Sequence, residues 1–356
     1  MDKDVALEYI RILKKKMRET DDERLKLFYI SDIVQLDTYL NEFLKIKRIN
    51  YIPLGKTFQK YLQDNEKFIE KEILELININ NYTEYISNLY LNIFENENYI
   101  NDFQIKVDLL EKYIEAFEYF ISTLGLKYSN KYYELKKENL IKSVFLNKSM
   151  GMCYDFVGLK KQMILVDFKN KIYQFFVLIH ELGHAIHFDY LNGLKSRPLE
   201  LNIFQECLPL ILEIKFMNFL EENNILVKDF KKIFFIDELI DIIRVNINSY
   251  YIKNNLYKIK KDNIKFKDFK ILKNKYSFLN EKIINSNDYI QVNIEFYSLI
   301  TALVFLNQYN KDNEILIEES LEFLGKSEVL SLQESLELLE IEKYFPNELK
   351  KQLTLK

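Results

Sequence analysis

Phe175-Phe176-Val177-Leu178-Ile179-His180-Glu181-Leu182-Gly183-His184-Ala185-Ile186-His187-Phe188 is the stretch that decides how this chain is read. With its flanks it predicts one long helix from about Lys171 to Leu191, stopped by Asn192-Gly193. Wound as a helix, it is apolar on nearly every side, which marks a helix buried all round. Yet it holds all three histidines of the chain, within eight residues. A polar group without a partner in such surroundings costs roughly 2–7 kcal/mol. The histidines therefore need partners, and a metal would satisfy two imidazoles at once.

His180-Glu181-Leu182-Gly183-His184 has the H-E-x-x-H spacing. At 100° per residue, positions four apart lie about 40° apart around a helix, so both imidazoles face one ion. Glu181, one residue along, is placed to act as general base toward water at that ion. A chance match on a surface helix is the bland alternative, and the apolar flanks oppose it. His187 shares the face of the other two and reads as a packed or ligand-supporting histidine. A di-iron carboxylate protein would need a second E-x-x-H on another helix. No histidine is left to build one.

A catalytic zinc needs a third protein ligand and one open position. With no further histidine, that ligand is a carboxylate. Glu206 and Glu213, seven residues apart, share a face of a second apolar helix predicted over Ile203 to Leu220. Glu206 follows His184 by 22 residues, enough for a helix end, a loop and a return. Glu200, near Pro198 in a predicted loop, is the rival.

Outward from this centre, Gly151, Gly158 and the apolar run Met163-Ile164-Leu165-Val166 predict short strands joined by turns. From Asp4 to about Leu146 the pattern is helical: Leu25, Phe28, Ile33, Leu36, Leu40, Phe43 and Leu44 recur at three- and four-residue steps. A break is predicted at Tyr51–Gly55, and further helices near Phe58–Ile77, Tyr82–Phe94 and Phe103–Leu124, the last ended by Gly125. Beyond Leu220 the pattern is helical again, with a break at Leu324-Gly325. The change of character near Met150 divides the chain into an N-terminal helical region, 1–146, and a catalytic region, 147–356, unless the two form one continuous domain.

Composition agrees with a mostly α protein. The 356 residues include only 7 Gly and 4 Pro, against usual shares of about 7% and 5%. Turns are scarce, which disfavours a sandwich or barrel. There is no Trp, so 25 Tyr and 27 Phe must supply the bulk of the core. The net charge of −4 comes with no basic stripe, which excludes nucleic acid as an expected partner. The first 17 residues lack the apolar region of a secretory signal. The longest apolar run, near Leu299 to Leu306, falls far short of the ~20 residues of a membrane span. Cys153 and Cys207 form no disulfide framework and read as buried, inert thiols. A soluble cytoplasmic location is expected, with no membrane partner.

Several of these segments together resemble the thimet oligopeptidase and oligoendopeptidase F family of zinc peptidases. Phe176 to His187 is similar to that family's active-site helix, including Gly183 and the third histidine. Lys148–Cys153 and Met163–Phe168 resemble the strands before it, and Ile203–Glu206 with Glu213 its third-ligand helix. Phe323–Ser327 resembles a late family loop. The resemblance spans about residues 147–220 and, less closely, 280–340. Family members are usually much longer, which implies a reduced N-terminal lobe here, and the Glu206 spacing is one or two residues shorter than usual. The family's C-terminal segment is rich in His and Tyr, whereas Asp288–Tyr297 has no histidine and keeps only Tyr297 and Tyr289.

The resemblance implies a helical ellipsoid split by a deep substrate channel, with a small β-sheet next to the H-E-x-x-H helix. It implies a gluzincin-type metalloendopeptidase that cleaves internal bonds of short unfolded peptides. One Zn²⁺ per chain would be held by His180, His184 and Glu206, with Glu213 supporting them. Glu181 would activate the water. Tyr297 would either donate its hydroxyl to the tetrahedral oxygen or simply pack its helix. The strand Met163–Phe168 would pair with the substrate backbone. The altered Tyr segment keeps open a zinc-retaining, peptide-binding pseudo-peptidase.

Overall fold

The computed structural model describes residues 1–45, 110–144, 151–167, 173–193, 204–225, 286–309, 312–327, 330 and 332–339. Helix α1, Lys3–Glu19, starts on Asp2, whose carboxylate accepts the Val5 N–H at 3.0 Å. Helix α2, Glu23–Thr38, starts on Asp22, which accepts from Arg24 and Leu25, and its end widens into a π-helical turn, Tyr39–Phe43. Such caps satisfy N–H groups that no helical carbonyl can reach, and stabilise by about 1 kcal/mol each. Helices α3, Leu110–Ser122, and α4, Leu126–Lys137, are joined through Gly125 at φ +87°.

Three short strands follow: β1 Ile141–Ser143, β2 Gly151–Phe156 and β3 Lys161–Val166. Their order is β1-β3-β2, with β3 parallel to β1 and antiparallel to β2. The sheet packs on α5, Tyr173–Gly193, which in turn packs on α6, Cys207–Glu222. Helix α7, Ser286–Tyr309, covers α6, and α8, Asn313–Ser327, leans on both α6 and α7. A last short helix, α9, Leu332–Leu338, contacts α8. The chain is thus mostly helical with one small sheet beside the histidine helix. One apolar core runs from Ala6 and Leu36 through Leu165 and Ile179 to Ile211, Leu303 and Leu324. Phenylalanines fill its centre: Phe117, Phe120 and Phe176 surround Phe216, with ring centroids 5.1–5.7 Å away. None of the described helices is long and apolar enough to cross a membrane.

Four local expectations need correction. Strand β1 lies inside a region read as helical; three residues are too few for either periodicity to show. Helix α6 begins at Cys207, not Ile203, because residues 204–206 form a turn that closes with Cys207 N–H on the Phe204 carbonyl. No break occurs at Leu324-Gly325: α8 continues to Ser327, since an isolated glycine costs a helix only about 1 kcal/mol and Tyr190 packs over this one. Strand β3, expected to pair with substrate, is central among the described strands: both neighbours engage its backbone, and β2 has an outer position. The expected break at Tyr51–Gly55 and the helices near 58–77 and 82–94 lie outside the described residues.

The contact of α5 with α6 is a backbone contact. A Cβ on Gly183 would stand 2.6 Å from the Pro209 Cα and 2.8 Å from its nitrogen. Pro209 is the third residue of α6, where an N–H would have no helical partner. The first helical bond, Leu210 N–H to the Glu206 carbonyl at 3.0 Å, is intact. Glycine on one side and an early proline on the other let the two helices meet.

Asp32 of α2 is fully buried against the β2–β3 turn. Burial, then the Asp155 carboxylate, push its pKa up from 3.8 to about 8, against the pull of backbone N–H groups at Gly158, Leu159 and Val157. Between these values the folded state holds a proton that the unfolded state has lost, so stability falls as pH rises. Asp32→Asn is expected to match the wild type in urea unfolding near pH 4 and to exceed it at pH 9. Equal midpoints at pH 9 would contradict this. Gly183→Ala is expected to destabilise by about 1–3 kcal/mol, the usual cost of overpacking. Gly193→Ala, whose added Cβ meets nothing within 4 Å, is the control that should not. Thermal unfolding of both variants decides it.

Candidate metal centre

His180 and His184 project from successive turns of α5, with ring centroids 4.9 Å apart and planes at 71°. Glu206 closes the turn before α6, at φ −84° and ψ −2°. Its side chain makes no cap on its own helix and reaches the histidines instead. Its backbone N–H donates to Ser298 Oγ of α7 at 3.1 Å, which fixes the turn from the other side. Glu206 Oε2 lies 2.9 Å from His184 Nε2 and 3.1 Å from His180 Nε2. One ligand atom from each of the three residues falls within 4.8 Å of the others.

This donor set fits zinc. Two imidazole nitrogens and a carboxylate oxygen at about 2.0–2.2 Å from an ion, tetrahedrally arranged, stand roughly 3.4 Å apart. Small rotations about the side-chain bonds separate the touching atoms by that much. Two of the groups come from α5 and the third from the turn before α6, and a tetrahedral ion held by them would keep a fourth position open.

The surroundings favour positive charge. Burial opposes a charge on His180, but the carboxylates of Glu213 and Glu206 outweigh it and hold the imidazole well above its ordinary pKa. Burial alone would raise Glu206; His184 and His180 reverse the sign and hold it well below the usual carboxylate range. Glu181 is raised, first by burial; His180 and His184 oppose the shift, and Glu206 and Glu213 add to it.

The other predicted residues find places around this core. Glu181 is 7% exposed and lies against Gly151 of β2. Glu213, two turns along α6, faces His180 Nδ1 at 3.5 Å, on the far side of the ring from Glu206. His187 is buried with Phe188 stacked beside it, their centroids 5.9 Å apart. Tyr297 is buried on α7, next in sequence to Ser298. Cys153 is half-buried on β2 and Cys207 buried on α6, and neither is bridged. Burial pushes both thiols up, helped at Cys153 by Glu181 and Asp155, so both stay protonated and poorly nucleophilic. Glu200 and the side chain of Tyr289 lie outside the described residues. Two contributors were missed from sequence. Ser298 carries no local signal, while Gly151, at the start of a strand, carried only that of a turn residue.

No family model matches the chain, and no curated protein matches it. Among solved structures, a candidate peptidase from Chlamydophila abortus aligns at 16% identity and TM-score 0.49, over 98% of this chain and 61% of that one. A candidate oligoendopeptidase F from Bacillus anthracis aligns at 11% identity and TM-score 0.49, over 92% and 63%. The chain thus spans a little over three fifths of the length of these proteins. Likeness at this level gives no residue of this chain a role, and the centre stands on its own geometry.

Purified protein is expected to take up about one zinc per chain, as one three-ligand site requires. Glu206→Gln should cost most of the affinity. Glu213→Gln should cost about 10–100-fold, the usual effect of losing a group that supports a ligand. Competition titration with a zinc chelator reads both. Larger loss from Glu213→Gln, or from Glu200→Gln, would contradict the ligand assignment.

Proposed function

We propose that this chain is a zinc-dependent oligopeptidase that hydrolyses internal bonds of short, unfolded peptides. The observation that carries the reading is the convergence of His180, His184 and Glu206 at ligand spacing, with the buried carboxyl of Glu181 one residue from a ligand. Bound zinc would supply Lewis acidity, polarising a carbonyl and acidifying water.

The protein's own groups do the rest. Glu181 accepts the proton of the attacking water and later passes it to the leaving amine nitrogen. Burial pushes its pKa above the ordinary carboxylate value. Glu213 orients His180 through Nδ1. Tyr297, if its hydroxyl turns toward the substrate, donates to the oxygen that gains charge.

Strand β2 offers a place for an extended substrate. The Asp155 carbonyl accepts from Gln35 Nε2 of α2 at 3.4 Å and so faces away from β3. By the two-residue period of a strand, the backbone groups of Cys153 and Gly151 face the same way. They form the stretch of outer edge beside Glu181. Pairing through main-chain groups tolerates many sequences but demands an unfolded chain. A narrow channel, as the family resemblance implies, would enforce the same demand. No nucleic acid or membrane enters this reading. A cytoplasmic location goes with it, in keeping with two unbridged thiols.

A second reading is a peptide-binding pseudo-peptidase that keeps zinc. It is favoured by one observation: Asp288–Tyr297 contains no histidine to share in stabilising charge. Digestion of a broad peptide mixture, followed by mass spectrometry, separates the two. The wild type should cut short peptides and spare stable folded proteins. Glu181→Gln should keep zinc and fold while losing about 10²–10⁴-fold in rate. A wild type as inactive as this variant would favour the pseudo-peptidase, and full activity in the variant would refute the role of Glu181.

A further inference from the structure

Strand β2 is fastened to α5 at both ends. At its far end the Asp155 carboxylate accepts from Asn192 Nδ2 of α5 at 3.2 Å and from Gln162 Nε2 at 2.9 Å. At its near end is Gly151. A Cβ there would stand 2.4 Å from Val177 Cγ1, 2.6 Å from Glu181 Oε1 and 2.9 Å from Glu181 Cγ. Residues 151 and 155 lie on one face of the strand. Residues 181 and 192, eleven apart, lie on one face of the helix. The bare backbone of the strand is therefore laid directly on the side chain of Glu181, which is 7% exposed.

We propose that Gly151 is a positioning residue, whose missing side chain lets the β2 backbone form the wall that holds the Glu181 carboxylate toward the metal centre. The inference rests on the peptidase reading above. The two neighbours of the absent Cβ respond differently to a methyl group. Val177 is β-branched and stiff, so contact with it strains the packing. Glu181 is long and flexible at its tip, so contact with it moves the carboxylate and costs little stability. A side chain at 151 thus perturbs fold through Val177 and reaction through Glu181. A displacement of 1 Å in a reacting group can cost about 10²-fold in rate.

The test uses Gly151→Ala alone, with Val177→Ala, and with Glu181→Gln, in the full chain loaded with zinc. Zinc content, thermal midpoint, kcat and KM are measured on a short fluorogenic peptide. Gly151→Ala should hold about one zinc, because Glu181 is not a ligand. Its KM should change less than twofold and its kcat fall at least tenfold. Adding Val177→Ala should recover the thermal midpoint and leave kcat low. In the Glu181→Gln background, Gly151→Ala should lower the residual rate no further, as expected for residues acting through one group. Recovery of kcat with Val177→Ala, a further drop in the Glu181→Gln background, or a change in KM alone would overturn the inference while the peptidase reading stood. A wild type that cleaves nothing would overturn both.

Discussion

Gly183 and Pro209 bring the backbones of α5 and α6 so close that a methyl group on residue 183 would lie 2.6 Å from the Pro209 Cα. The distances from Glu206 to both imidazoles depend on this contact. Gly183 sits between His180 and His184, and Pro209 follows Glu206 by three residues. The point where the helices touch is thus within one turn of all three ligands. A markedly wider separation of the helices would carry the Glu206 carboxylate out of reach of both imidazoles, from which it is now 2.9–3.1 Å away. Two ordinary sequence features, a glycine in a helix and a proline at a helix start, therefore act as one device.

Around that contact the protein gathers charge that an apolar core would normally reject. Glu181, Glu206 and Glu213 are all buried, within reach of two imidazoles. Desolvating carboxylates is costly, and their mutual repulsion adds to the cost. Burial opposes a charge on His180, but the Glu213 and Glu206 carboxylates hold its pKa well above the ordinary value, so the pocket favours positive charge. A divalent ion would answer that preference with better geometry, since it binds all three ligands at once. On the proposed reading, the buried acids define a place for a cation, and Glu181, which is not among its ligands, carries the proton. The sheet takes part through β2, which is pressed on the same helix and pinned by the Asp155–Asn192 bond.

Much of this was legible in the sequence, for reasons that differ between elements. Helix α5 could be read directly: an all-round apolar helix holding every histidine admits few explanations. The predominance of helix followed from scarce Gly and Pro. Glu206 was less direct. The residues alone left three carboxylates open, because the choice depends on how α6 returns to α5, which is a tertiary fact. Strand β1 was missed because Ile141-Lys142-Ser143 is too short to show a period. Substrate pairing was assigned to β3 although Met163–Val166 is a continuous apolar run, and all four residues are completely buried. Such a run signals a strand covered on both faces. Ser298 could not have been found locally, since its partner Glu206 is 92 residues away in the chain.

The central claim is that two imidazoles and one carboxylate of this chain form a single zinc site with an open position. Zinc K-edge X-ray absorption on the metal-loaded protein tests it most directly. The account predicts four or five nitrogen and oxygen scatterers at about 2.0–2.2 Å, with the outer-shell pattern of two imidazoles and no sulfur. A sulfur shell near ~2.3 Å would assign the metal to Cys153 or Cys207 instead. That result, or a spectrum without imidazole scattering, would contradict the account.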